Sequence, residues 1–300
     1  MKNNYLKLSD FSAETYRKNR DLIDFSKEAL INHFLMYGIQ EGRVYNHIIN
    51  RRSFLDVIVQ TGNILEIGPL DRPQLNSTLA TYHSVDVFTK EQLQAFYKDD
   101  PDVNVSAIIQ PTYIIINNDY SVINKKFKCI FSSHNIEHVP CLVTFLQNLQ
   151  GLLDEGGRIY LIIPDKRYCF DYYKKETDIY DVLQLYYEKN SRPRFGEVLK
   201  MRTQNTHNNS IEHWQDIHGE NNYRANLIAH YNNILNEYKK GEYMDSHVSF
   251  FTPDSFLNIM EIILEMQLIN LEPVKLYHTI RGSNEFYAIL EKKNSGQNIV

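Results

Sequence analysis

Cysteine is scarce in this 300-residue chain. The three present (Cys129, Cys141, Cys169) are odd in number and include no C-x-x-C pair. That excludes a disulfide framework and a thiolate-built zinc site, and it fits reduced, mostly buried thiols. No apolar run approaches the roughly 18 residues that a bilayer span requires. The opening stretch MKNNYLKLSDFS has no apolar core of the secretory kind, so a cytoplasmic location is expected. Positive charge is also wanting: 32 Lys and Arg against 37 Asp and Glu give a net charge of −5. That balance argues against an extended nucleic-acid surface. Tryptophan occurs once, against 21 tyrosines, many of them after position 160. Those rings could stack on a ligand or hydrogen-bond a polar one, or simply be half-buried core.

What is present is a rhythm of short apolar runs. NILEIG, YHSVDVF, TYIIIN, FKCIFSS and GRIYLIIP read as five strands from Asn63 onward. Between the fourth and fifth, Leu142, Phe145, Leu146, Leu149 and Leu152 share one face, and a Gly pair comes next as a C-cap signal. That predicts an amphipathic crossover helix inside a βαβ unit. Continuous apolar strands separated by helices imply a mostly parallel sheet covered on both faces. In TPDSFLNIMEIILEM, Thr252 is a predicted N-cap with Pro253 at the first helical position. Two final runs, LINLEPVKLYH and EFYAILEKK, joined by TIRGSN, predict an antiparallel hairpin that closes the sheet.

In an open α/β sheet the ligand sits beyond the carboxyl ends of the strands. Those ends carry Glu66 and Gly68, then Asp86, Asn117, Ser133 with His134, and Pro164 with Asp165. Gly68 admits a close backbone approach, and Asp86, 18 residues later, stands near the spacing at which a carboxylate reaches ribose hydroxyls. This is a nucleoside-binding array. A dinucleotide would want G-x-G-x-x-G and its cradle of N–H groups for a pyrophosphate. Here the loop is GPLDRP, in which Pro69 removes one N–H and no second Gly is present. A ligand with a zwitterionic amino acid in place of the diphosphate fits better, which points to S-adenosylmethionine (SAM).

The blocks ILEIGPLDRP, VDVF, SSHNIEHVPCLVTFLQNLQGLLDEGGRIYLIIPDKRYCFDYY and HVSFFTPDSF resemble a family of class I SAM-dependent methyltransferases that accompany bacterial surface-polysaccharide and glycosyltransferase systems. The resemblance implies a Rossmann-like seven-stranded, mostly parallel sheet with an antiparallel last strand. It implies SAM contacts from Glu66, Gly68, Asp86, Asn117, Ser133 and His134. Two positions depart from the family: Lys128 replaces the usual Asp before strand four, and Asn117 stands where an acid usually meets the adenine amino group. Separately, the segment SKEALINHFLMYGIQEGRVY resembles a short module that recurs in bacterial glycosyltransferases, so residues 1–50 are expected to be a helical docking module, with glycosyltransferases as candidate partners. Beyond it the expected divisions are a SAM-binding core at 51–171, an inserted acceptor lobe at 172–246 and a completion of the core at 247–293.

His134, Glu137 and His138 also spell H-x-x-E-H, the signature in which two His bind zinc and a Glu activates water. That chemistry needs a helix and a further acid, for which Glu212 is available. The β-like run KCIFSS before His134 and Pro140 just after His138 leave barely one turn, so the motif is expected to be a strand end, with His134 facing the ligand and Glu137 and His138 capping or orienting the next helix. No metal ligands are assigned. In the lobe, His207, His213, Trp214, Asp216 and His218 form a polar, aromatic group suited to a sugar ring; a surface loop or a metal cluster are the alternatives. His247 is expected to face the same cleft. Methyl transfer to a hydroxyl calls for in-line positioning and benefits from a base near neutral pKa, so His134 and His218 are the candidate bases. The expectation is an SAM-dependent O-methyltransferase acting on a sugar or sugar phosphate in surface-glycan assembly. The alternatives are a nucleotide-dependent oxidoreductase on the same sheet, an H-x-x-E-H zinc peptidase, and a non-catalytic glycan-assembly scaffold, the last favoured by Lys128 and Asn117.

Overall fold

Seven strands form one sheet in the order β3-β2-β1-β4-β5-β7-β6 in a computed structural model that describes residues 2–58, 62–116 and 119–293. They are β1 Ile64–Ile67, β2 Tyr82–Asp86, β3 Tyr113–Ile114, β4 Phe127–Ser133, β5 Leu153–Pro164, β6 Leu271–Tyr277 and β7 Glu285–Lys292. β1 pairs in parallel with β2 and β4, β2 with β3, and β4 with β5. β7 enters antiparallel between β5 and β6. This is the Rossmann-like arrangement expected, including the reversed last strand. The central strands are buried on both faces, which is why they read as unbroken apolar runs rather than as alternations.

The helix Leu142–Leu152 buries Leu142, Phe145, Leu146, Leu149 and Leu152. It ends at Leu152 rather than at the Gly pair, because β5 begins at once. Gly156 (φ 65°) and Gly157 lie within β5, and a Cβ at Gly157 would meet the Asp154 and Phe127 carbonyls at 2.9 Å. The pair therefore permits the irregular pairing where β5 meets β4, not a helix cap. The helix Pro253–Glu265 has the predicted Thr252 cap in a full capping box.

Between β1 and β2 there is no helix: residues 68–81 form an irregular loop. Pro69 and Pro73 lie in it, and Glu66 organises it from below. The Gln74 and Leu75 N–H groups donate to the buried Glu66 carboxylate at 2.8 and 3.3 Å, and Tyr82 donates its hydroxyl at 3.0 Å.

Residues 2–50 are not separate from the sheet. They carry a small core of Tyr16, Leu22, Leu30, Phe34 and Tyr45, while Leu8 belongs to the main core. Tyr5 donates to Asp254, and Lys275 and Tyr277 of β6 donate to Asp10. The His278 N–H donates to the buried Tyr45 hydroxyl at 2.7 Å. The stretch 172–246 is likewise tied in: Val182 of the helix Ile179–Tyr187 sits in the main core, and Gln147 bonds the Tyr186 hydroxyl.

Candidate active site

At the carboxyl ends of β1, β2 and β3 lies a cavity of about 380 Å³, within the size range of ligand sites. Gly68 and Asp86 line it, with Phe88, Ile115 and Tyr120 as apolar walls and Asn135 and His138 opposite. Gly68 adopts φ 59°, a left-handed conformation that disfavours a side chain. Asp86 accepts the Val87 and Phe88 N–H groups on Oδ1 alone, at 2.7 and 3.3 Å. Among the described residues nothing bonds Oδ2, which is left for a ligand. Burial pushes the Asp86 carboxyl up, partly offset by those two bonds.

A second, polar cavity of about 340 Å³ adjoins the first across Ile67 and Gly68, with Arg51, Arg72, Ser133, His134 and Glu285 in its wall. Glu66 also borders it, but its carboxylate is turned to the N–H groups of the loop and to Tyr82. His134 holds φ 47°, and its Nε2 meets Glu285 Oε1 at 2.8 Å. Arg51 also donates to Glu285. Burial pushes the Glu285 carboxyl up, but His134 and Arg51 outweigh it and bring its pKa down to about 2. A carboxylate at Glu285 fixes the proton of a neutral His134 on Nε2 and leaves Nδ1 as an acceptor. Nδ1 looks toward Glu137, 3.8 Å away.

The H-x-x-E-H stretch is a turn that leaves β4, not a helix. Neither Glu137 nor His138 caps the next helix, which is preceded by Cys141 and has no side-chain cap bond. Instead the Glu137 carbonyl accepts from Val248 and Ser249, which seats His247 beside it. His138 Nδ1 pairs with Asp245 at 2.8 Å, and His247 Nδ1 with the buried Asp171 at 2.6 Å. Burial lowers the His138 pKa, but the Asp245 bond and the charges of Asp245, Glu137 and Asp171 raise it to about 9.

The His-Trp segment of the lobe lies elsewhere. His207, His213, Trp214, Asp216 and His218 line neither cavity. Trp214 stacks on Tyr168 at 3.8 Å and donates to the Ser283 carbonyl. His218 stacks on Tyr172 at 3.6 Å, with Nδ1 on His213 and Nε2 on Asp216. His213 is buried and stacked on His207. These contacts knit the segment to the stretch after β5. What the lobe does bring to the first cavity is Asn190, Ser191 and Tyr243. Asn117 lies outside the described residues. Lys128, at the far end of β4 from this edge, donates to the Glu155 carbonyl and has no bearing on the ligand side.

Sequence reasoning missed Arg51, Glu285, Asp171 and Asp245. Asp171 sits in the block IPDKRYCFDYY, a usable signal; Arg51 and Glu285 are brought together by β7 alone and had none.

No family model matches the chain, and no curated protein matches it. Among solved structures it is similar to the CcbJ methyltransferase of Streptomyces caelestis at 9% identity and TM-score 0.38, covering 80% of this chain and 92% of that one. It is similar to an S-adenosylmethionine-dependent methyltransferase from Mesorhizobium loti at 11% identity and TM-score 0.38, covering 80% and 96%. It is also similar to the plantazolicin methyltransferase BpumL, solved with SAH, at 15% identity and TM-score 0.33, covering 96% of each chain. These values assign no activity by themselves. The fold is Rossmann-like.

Proposed function

We propose that this chain is an SAM-dependent methyltransferase that O-methylates a sugar or sugar phosphate, in the cytoplasm, during surface-glycan assembly. The observation that carries the reading is the pair of cavities meeting at Gly68. The apolar one, with the free Oδ2 of Asp86, suits adenosine. The polar one offers Arg51 and Arg72 to a carboxylate and Glu285 to an ammonium, as an amino-acid zwitterion requires. An oxidoreductase reading loses its main support: no helix comes directly after β1, so no helix N-terminus faces a pyrophosphate. His134 is the favoured base, since both ring nitrogens of His218 are engaged. The glycan acceptor and a glycosyltransferase partner rest on the resemblance of residues 1–50 to a glycosyltransferase-associated module; Ile23, Met36 and Tyr37 are exposed there. Among the described residues no helix is long and apolar enough to cross a membrane.

The test is calorimetric titration with SAM and with NAD. SAM is expected to bind. Asp86→Ala should weaken it tenfold or more while the protein stays folded, since hydrogen bonds to a charged group are worth about 1.5–3 kcal/mol each. Binding of NAD with none of SAM overturns the reading.

A further inference from the structure

Glu137 poses a problem that methyl transfer alone does not answer. Its side chain is 1% exposed, and among the described residues neither carboxylate oxygen has a hydrogen-bond partner. The nearest ring nitrogens, His134 Nδ1 and His138 Nε2, stand at 3.8 and 3.9 Å, too far for a bond. A buried carboxylate with no hydrogen-bond donor is disfavoured; the charge of His138 meets it only across 3.9 Å, and an ion held by both groups would take the place of the His138 Nε2 proton. The surroundings are those of a metal centre. One ligand atom each from Glu137, His138 and His247 lie within 4.8 Å of one another. Each imidazole is held through Nδ1 by a carboxylate, Asp245 for His138 and Asp171 for His247, which directs Nε2 inward. That outer layer is the one metal-binding histidines usually have. Asp171 is itself fixed by the buried Lys174, which also bonds Asn205. The backbone bonds from Val248 and Ser249 to the Glu137 carbonyl set the spacing of the three groups.

We propose that Glu137, His138 and His247 bind a divalent first-row transition ion at the edge of the first cavity, and that this ion binds the acceptor's hydroxyl. Two His and one carboxylate leave coordination positions open, and His138 lines the first cavity. A hydroxyl bound to the ion loses its proton more readily, and His134 Nδ1 is placed to take it. The alkoxide oxygen then forms a bond to the methyl carbon, the carbon–sulfur bond breaks with its electron pair left on sulfur, and a neutral thioether departs. The catalytic part of the proposal rests on the methyltransferase reading; ion binding does not. The expected substrate class is a polyhydroxyl compound, whose adjacent oxygens can occupy two open positions.

The test uses the full chain, freed of metal by chelation and then dialysed against Zn2+ or Mn2+. Elemental analysis should find one ion per chain, and Mn2+ bound to the protein should show an altered electron paramagnetic resonance spectrum. Glu137→Gln and His247→Gln should each weaken binding at least tenfold with circular dichroism unchanged; Asp245→Asn should weaken it less. His213→Gln is the control that should retain the ion. Should Glu137→Gln fail to fold, His247→Gln and the wild-type stoichiometry still decide. Absence of a stoichiometric ion in the wild type, or its retention in His247→Gln, overturns the proposal. SAM binding with no ion sinks the metal site and leaves the methyltransferase reading. An ion without SAM binding does the reverse.

Discussion

A chain that begins at residue 51 is expected to lose most of its stability. At the sequence level the first fifty residues read as a docking module that supplies no strand-end residue, and such a module could be removed with the ligand site intact. The structure gives the opposite expectation. Removal would uncover Tyr277 and His278, take Leu8 out of the main core, and strip Lys275, Tyr277 and the His278 N–H of their partners. Water replaces the lost hydrogen bonds, so each counts for only about 0.5–1.5 kcal/mol net. Each large apolar side chain returned to water costs about 1.5–3 kcal/mol more. The sum is several kcal/mol against the roughly 5–15 kcal/mol that folded domains possess. Thermal unfolding of the truncated chain, monitored by circular dichroism, should show a midpoint lower by about 10 °C or more, or no transition. An unchanged midpoint would show that the module is an appendage after all.

His134→Asn should lower kcat for methyl transfer by about a hundredfold or more, the range ascribed to a positioned base. Asn is the informative replacement, because His134 sits at φ 47° and Asn tolerates that region better than most residues. The variant should therefore fold, and its SAM affinity should change far less than its kcat. The measurement is transfer of labelled methyl from SAM to an acceptor identified by screening nucleotide sugars and glycan fragments. In the same assay His218→Asn should leave kcat within a few-fold of the wild type, since that ring is stacked on Tyr172 and bonded at both nitrogens. A large loss in His218→Asn with full activity in His134→Asn would reverse the assignment.

The sheet was legible because its strands are buried on both faces, so each appears as a run of Ile, Leu and Val closed by a polar residue. Gly68 and Asp86 were legible for the same reason: strand ends on the carboxyl edge converge whatever the loops do. The alternation of strands and helices breaks between β1 and β2, because a proline-containing loop held by Glu66 takes the place of a helix. The His-Trp segment misleads. Its residue types suit a sugar, yet their rings are spent on one another and on Tyr168 and Tyr172, and the last two contacts are made across more than 40 residues, which no local pattern records. Arg51 and Glu285 were invisible on similar grounds, since they are 234 residues apart. H-x-x-E-H is a strand end, as its flanks imply, and it is also more than punctuation. The third group that completes its chemistry, His247, stands more than a hundred residues downstream.

The position of β7 bears on when the chain can fold. It is made last, yet it lies inside the sheet between β5 and β6, and the contacts of Tyr5 with Asp254 and of Asp10 with Lys275 join opposite ends of the sequence. At ribosomal rates of about 5–20 residues per second, residues 5–10 wait roughly 10–50 s for their partners to be synthesised. From the completion of β5 at Pro164 until Glu285 is made, roughly 6–24 s at the same rates, the apolar edge of β5 that receives β7 has no neighbour. Such an edge is open to pairing with other chains, so this protein's yield in a cell should depend on chaperones that shield nascent β strands rather than on the stability of the finished fold.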